Sequence, residues 1–282
     1  MHQEDVGQLL DVNGTKLYCE VRGTGPAVIF ISPATGDCGM FARVATTLAD
    51  EFTCVTFDRR GNSRSPKPEG WNRTTLEEQA ADVAGVLQAT VGRPAVIFGS
   101  SGGATVAVEV LVRHPDLVSG MVVHEPALPS VLTDEERRGA PQQDERIGIA
   151  MRESGPRAAI EVRLRLVIGD EVWEAQDESL RQRMLGNAET LFFVESEAWG
   201  RYRPNEDALR AFGRGVFVLT SAGSPPLNLS IRDWLIDRIP GAAAGTLPGR
   251  HVPYLECPDE TAGVLRTYLR QLTQPVAKAL AG

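Results

Sequence analysis

Ala95-Val96-Ile97-Phe98-Gly99-Ser100-Ser101-Gly102-Gly103-Ala104 decides how this chain is read. Its first four residues form a continuous apolar run, the mark of a strand buried on both faces. The G-x-S-x-G pattern of residues 99–103 follows at once, and a segment of helical period continues from Ala104 to Arg113. A serine on so tight a strand-to-helix turn is lifted above the carboxyl ends of the strands with its hydroxyl exposed. Flanking glycines remove the Cβ atoms that would clash there. The pattern therefore predicts Ser101 as a nucleophile. It also predicts that the Gly102 N–H, at the helix start, donates to a developing oxyanion. A Gly-Ser loop at an ordinary strand–helix junction is the plain alternative, and the strand before and helix after weigh against it. Phosphate binding is disfavoured, because neither a Lys-Ser/Thr pair nor G-x-G-x-x-G occurs here. Ser100 stands one residue too early to have the same glycine frame.

Similar apolar runs recur on both sides. Ala27–Ile31 and Cys54–Phe57 precede the turn; Met121–Val123 and Val216–Leu219 follow it. Helical periods separate them at Met40–Leu48, Thr75–Val91 and Ala104–Arg113, with Thr75 as an N-cap ahead of Glu77 and Glu78. Asn13-Gly14 between alternating segments predicts a β-hairpin near the start. Such alternation implies right-handed strand–helix–strand crossovers and a mostly parallel sheet flanked by helices. From Pro129 to Arg214 the rhythm stops. Helical patterns at Gly155–Ile168 and Leu180–Val194 predict a helical cap over 129–214, inserted into a core of 1–128 and 215–282. A strand near Ala243–Leu247 and helices at Ile231–Arg238 and Asp259–Leu272 complete the core.

The 282 residues are 42% hydrophobic and 23% charged, an ordinary globular balance that excludes disordered, collagen-like and disulfide-scaffold classes. A net charge of −8 disfavours nucleic acid and anionic membrane surfaces as partners. No apolar run reaches membrane-spanning length, and MHQEDVGQLL has neither region of a signal peptide. The four cysteines, Cys19, Cys38, Cys54 and Cys257, are unpaired in spacing, so the expected setting is cytoplasmic. A small-molecule ligand is the expectation, with a homodimer left open.

A serine nucleophile needs a base, and there are four histidines. His2 is terminal, and His114 suits the carboxyl end of the helix after Ser101. His251, in Gly249-Arg250-His251-Val252-Pro253-Tyr254, lies in a loop expected at the carboxyl edge of the sheet, where the elbow also lies. It is the expected base. With Ser101, His251 and the segment Phe57-Asp58-Arg59-Arg60-Gly61-Asn62-Ser63-Arg64-Ser65 in view, the chain resembles the α/β-hydrolase superfamily over nearly its whole length. That resemblance implies the α/β-hydrolase fold.

Two departures from the superfamily pattern bear on the site. Ile31-Ser32-Pro33-Ala34-Thr35-Gly36 stands where most members carry His-Gly. Pro33 has no N–H, so Ala34 is the expected second oxyanion donor, with Thr35 the alternative. After Val216–Leu219, where the resemblance implies an acidic residue, Thr220–Asn228 contains no Asp or Glu. Glu125, ending the strand beside the elbow strand, is the expected substitute, and Glu reaches one methylene further than Asp. A solvated or Arg-paired carboxylate is the plain alternative. His124 beside it is expected to turn the other way, into packing. In its S-S-G elbow, His-Glu pair, G-x-H-x-P-Y loop and cap, the chain resembles the lactonases that open the macrocycle zearalenone.

Trp199, Trp173, Phe192, Phe193 and Tyr202 are candidate pocket walls, Trp199 foremost, with packing in the cap core the plain and commoner alternative, and Asp37, Cys38 and Met40 are candidates to shape the site. Scattered histidines without H-x-x-H spacing predict no metal, and the chemistry implied needs no cofactor. The resulting expectation is a serine esterase acting on a bulky ester or lactone through an acyl-enzyme. Two alternatives remain: a lyase or cofactor-free cyclase on the same fold, and a ligand-binding protein with a vestigial triad. Labelling by a fluorophosphonate would disfavour the last, and turnover of simple esters and lactones would disfavour the lyase.

Overall fold

The apolar runs pair into one sheet. The structure is a computed structural model describing residues 7–138 and 144–274. Its strands are β1 (Gln8–Val12), β2 (Thr15–Arg22), β3 (Ala27–Ile31), β4 (Thr53–Phe57), β5 (Ala95–Ser100), β6 (Val118–His124), β7 (Val216–Ser221) and β8 (Ala243–Leu247). They lie in the order β1-β2-β4-β3-β5-β6-β7-β8. β1 and β2 are antiparallel to their neighbours, whereas the pairs linking β4, β3, β5, β6, β7 and β8 are parallel. The hairpin closes as the Asn-Gly pair predicts. Val12 faces Thr15, and Asn13 and Gly14 take φ of 47° and 75°, which glycine and asparagine tolerate best.

Every residue of β3 and β5 is buried, because helices cover both faces. α1 (Ala42–Leu48) packs against α14 (Pro258–Thr273), and α2 (Leu76–Thr90) packs against α3 (Gly102–Arg113). Thr75 caps α2 by accepting from the Glu78 N–H at 3.1 Å. The chain leaves β3 toward β4, while β5 lies on the other side of β3. That reversal makes the carboxyl ends of β3 and β5 a switch point, the crevice where open α/β sheets bind ligands. Beneath it Phe30, Phe41, Phe98 and Tyr254 form an aromatic cluster with centroids 4.6–5.7 Å apart. The cluster seats the loop before Tyr254 against the sheet.

Between β6 and β7 the described residues form helices and no strand. They are α4 (Asp134–Arg138), α5 (Asp144–Ser154), α6 (Pro156–Ile168), α7 (Asp170–Glu174), α8 (Glu178–Gly186), α9 (Ala188–Thr190), α10 (Ser196–Arg201) and α11 (Glu206–Ala211). The single helical stretch expected over Leu180–Val194 is broken. α8 ends at Gly186, and Asn187 spends its side chain on the core, accepting from Ser63 N–H at 2.6 Å and donating to the Thr35 carbonyl at 2.8 Å. A π-helical turn, Leu191–Glu195, then carries Glu195 to the sheet. The core resumes with α12 (Pro226–Arg238) and α13 (Pro253–Glu256). No helix among the described residues is long and apolar enough to cross a membrane.

Candidate active site

The elbow is held in a strained conformation by close packing. Ser101, between β5 and α3, has φ 52° and ψ −120°. Its N–H donates to the His124 carbonyl at 2.9 Å, which ties the turn to β6. A Cβ on Gly103 would lie 2.2 Å from the Ile31 carbonyl oxygen and 2.5 Å from that of Ser32, so only glycine lets α3 start this close to β3. Five described non-glycine residues have positive φ. Three of them, Thr35, Ser101 and Glu125, stand at this crevice, where strain of about 1–3 kcal/mol each is held by surrounding contacts.

Glu125 follows β6 with φ 46°, and its N–H donates to the Leu219 carbonyl at 3.0 Å. Its carboxylate is buried. Oε2 accepts from His251 Nδ1, and Oε1 accepts from the Ser221 N–H at 3.2 Å and from the Ser224 hydroxyl. Burial acts to raise the carboxyl pKa, but the bond from His251, the nearby His124 and His251 rings and, least, the Ser224 bond outweigh it and hold the group down at about 2. The last residue of β7, Ser221, and Ser224 in the acid-free loop after it thus supply two donors to the acid that follows the neighbouring strand. Sequence reasoning missed Ser221 and Ser224 in this role; the vacancy after β7 was the available signal. His251 sits in a loop fixed by the Arg250 N–H and guanidinium bonds to Glu256, and Pro253 starts α13 two residues on.

Ser101, Glu125 and His251 line one cavity of about 470 Å³. Glu125 and His251 are hydrogen-bonded. Ser101 faces the same space without a direct side-chain bond to either among the described residues. Leu128, Leu132, Leu166, Val167, Leu227 and Ile231 give the cavity apolar walls, with Arg163 and Asn228 among its polar groups.

The loop after β3 turns tightly: Gly36 N–H donates to the Pro33 carbonyl at 3.1 Å, and Thr35 takes the positive φ of 64°. A β-branched residue there is strained, and the Asn187 bond to its carbonyl helps hold it. The Ala34 nitrogen lies 3.3 Å from where a Gly102 Cβ would be, so the two expected donors are neighbours. Neither N–H makes a turn or capping bond among the described residues. Trp199 closes the other side of Gly102, its ring 2.9 Å from the same point, and its Nε1 is buried without a partner among the described residues.

Arg59 braces this arrangement, which sequence reasoning did not single out. Its buried guanidinium pairs with Glu195, donates to the Pro33 carbonyl at 3.3 Å and to Gln79 at 3.0 Å, and lies 5.2 Å from the Trp199 ring centroid. The candidate pocket aromatics lie elsewhere. Trp173 and Trp199 are buried in the apolar core and Phe192 packs against it; none of the three lines the cavity at Ser101, and Phe193 is exposed. Tyr202 lines a separate cleft, where its hydroxyl bonds Glu109 at 2.7 Å. Helical spacing of aromatics signals burial, and core and pocket share that signal. Asp37 and Cys38 turn away into a buried ion cluster, Asp37 pairing with Arg183 and the Cys38 N–H bonding Asp58.

A strained serine between strand and helix and a buried carboxylate–imidazole pair meet at one cavity on the carboxyl edge of a mostly parallel sheet. The chain belongs to the α/β-hydrolase family: the alpha/beta hydrolase fold model matches residues 26–197. Among its relatives, the zearalenone hydrolase of Bionectria ochroleuca is 30% identical over 269 residues, covering 93% of this chain and 95% of that protein. An uncharacterized hydrolase, YraK, of Bacillus subtilis is 34% identical over 191 residues, 68% of this chain and 67% of the other. A thermophilic esterase structure from Thermogutta terrifontis matches with a TM-score of 0.76 at 23% identity, covering 95% of this chain and all of that one. The coarse class is an α/β-fold hydrolase.

Proposed function

We propose that the protein is a serine hydrolase that cleaves a bulky carboxylic ester, a lactone by preference, through an acyl-enzyme. The observation that carries this reading is the bond between Glu125 and His251 Nδ1 at a cavity shared with Ser101. With Nδ1 engaged, Nε2 is left to take the proton as Ser101 attacks the acyl carbon. Glu125 fixes the imidazole and offsets its positive charge. The Gly102 and Ala34 N–H groups bind the oxyanion, and water then frees the acyl group. None of these steps calls for a metal or cofactor.

The helical segment 129–214 serves as a cap in this scheme, with Trp199 packed against Gly102 beside the elbow. The lactone preference is supported by the apolar walls and the 470 Å³ volume, because a ring holds its leaving alcohol on the acyl chain and both parts must fit together. It draws further support from the zearalenone hydrolase relative. A fluorophosphonate probe is expected to label the wild type stoichiometrically and to leave Ser101→Ala unlabelled. Faster turnover of macrolactones than of matched open-chain aryl esters is the expected outcome of a substrate panel. Equal labelling of both proteins would overturn the nucleophile assignment, and hydrolysis confined to open-chain esters would overturn the lactone preference.

A further inference from the structure

A second imidazole lies beneath the pair just described, and the proposed chemistry does not use it. His124 is fully buried, its ring centroid is 6.2 Å from that of His251, and its Nε2 is 4.0 Å from Glu125 Oε1. Two imidazoles therefore flank one carboxylate. The titratable groups facing His124 among the described residues are Glu125 from the end of β6, His251 from the loop after β8, and Tyr254 from α13.

The hydrogen-bond partners settle which ring nitrogen carries the proton. The Ser221 hydroxyl donates its one proton to the Arg250 carbonyl at 2.5 Å, so toward His124 Nε2, 2.9 Å away, it accepts. His124 Nε2 therefore bears hydrogen. At the other end the Tyr254 hydroxyl donates to Ser100 Oγ at 3.2 Å, and burial keeps that phenol protonated. Ser100 then donates to a bare His124 Nδ1 at 3.2 Å. Every polar atom of this chain is satisfied by running the donors one way, from Tyr254 through Ser100, His124 and Ser221 to Arg250. Burial of the ring drives its pKa down to about 3, which agrees with a neutral imidazole. Ser100, His124 and Arg250 are the residues immediately before Ser101, Glu125 and His251.

We propose that His124 is a positioning residue: its single N–H is committed to Ser221, which leaves Glu125 to His251 and ties together the three segments that carry the candidate triad. This inference rests on the proposed roles of those three residues. Its first test does not. In the full-length wild-type protein labelled with ¹⁵N-histidine, the imidazole assigned through His124→Gln is expected to stay neutral with hydrogen on Nε2 from pH 6 to 9. An Nδ1–H tautomer or an imidazolium in that range would overturn the proposal. The second test reads the rate at which a fluorophosphonate labels Ser101. Ser221→Ala frees the His124 N–H toward Glu125 and is expected to slow labelling by about tenfold or more. Adding His124→Phe removes the competitor and is expected to restore part of that rate. A double variant no faster than Ser221→Ala would reduce Ser221 to a brace for the Arg250 carbonyl and overturn the competition. Absence of labelling in the wild type would instead defeat the proposed function, leaving the tautomer result to stand or fall by itself.

Discussion

Glu125 accepts three hydrogen bonds, from His251, the Ser221 N–H and the Ser224 hydroxyl, and two of the three come from the end of β7 and the acid-free loop after it. The longer Glu side chain suits an approach from β6. Glu125→Gln keeps the shape and removes the charge, and turnover is expected to fall by about four orders of magnitude, as when a serine-protease triad loses its acid. The same variant tests linkage. The folded-state pKa of about 2 lies below the ordinary 4.5, so the Glu125 contribution to stability is fully present above pH 4.5 and is lost as pH falls through 2. Chemical denaturation of the two proteins side by side is therefore expected to show a stability gap that narrows from pH 4.5 downward. A gap that stays constant across that window would mean that the carboxylate is not held in its charged form by folding.

The strand–turn–helix element β5–elbow–α3 works because its glycines allow backbone to approach backbone. At Gly103 an added methyl would meet the carbonyl oxygens of Ile31, at the end of β3, and Ser32, neither of which is a movable side-chain end. Gly103→Ala is expected to destabilise the fold by about 1–3 kcal/mol through overpacking, read as a lower denaturation midpoint with an unchanged slope. Wild-type stability in that variant would show that the helix start can shift away from β3 without cost. This element was legible in the sequence because its signals are local: an apolar run, a glycine frame and a helical period. The break at Gly186-Asn187 was not, since Asn187 leaves the helix for partners on other elements and not for any local preference.

Across the whole molecule, the helical segment between β6 and β7 is joined to the sheet through buried polar contacts. Arg59–Glu195, with both side chains at most 2% exposed, lies beside the loop after β3, and Asn187, Arg183 and Tyr202 make further cross-links. Removing one member of a buried pair leaves the other charged and unpaired, so Arg59→Ala is expected to cost about 3–5 kcal/mol. Replacing both partners with apolar residues, Arg59→Met with Glu195→Leu, is expected to recover part of that loss in thermal denaturation. A double variant less stable than Arg59→Ala would show that Glu195 has support of its own.

By itself the sequence determined the sheet-and-helix alternation, the Asn-Gly hairpin, the serine elbow and the identity of the three residues proposed for the chemistry. Most of those readings rest on periodicity, glycine stereochemistry or a pattern shared with the family, all properties of neighbouring residues; Glu125 came instead from the acid missing after β7 and the expected order of strands. Only the tertiary structure decided that Glu125 meets His251 across 126 positions of chain, that Ser221 and Ser224 serve a carboxylate on another strand, and that Arg59 finds Glu195. It also decided that none of the expected pocket aromatics lines the cavity at Ser101. Such contacts are set by strand order and by the seating of loops at the carboxyl edge, and burial draws on the same apolar side chains whether they wall a pocket or pack a core.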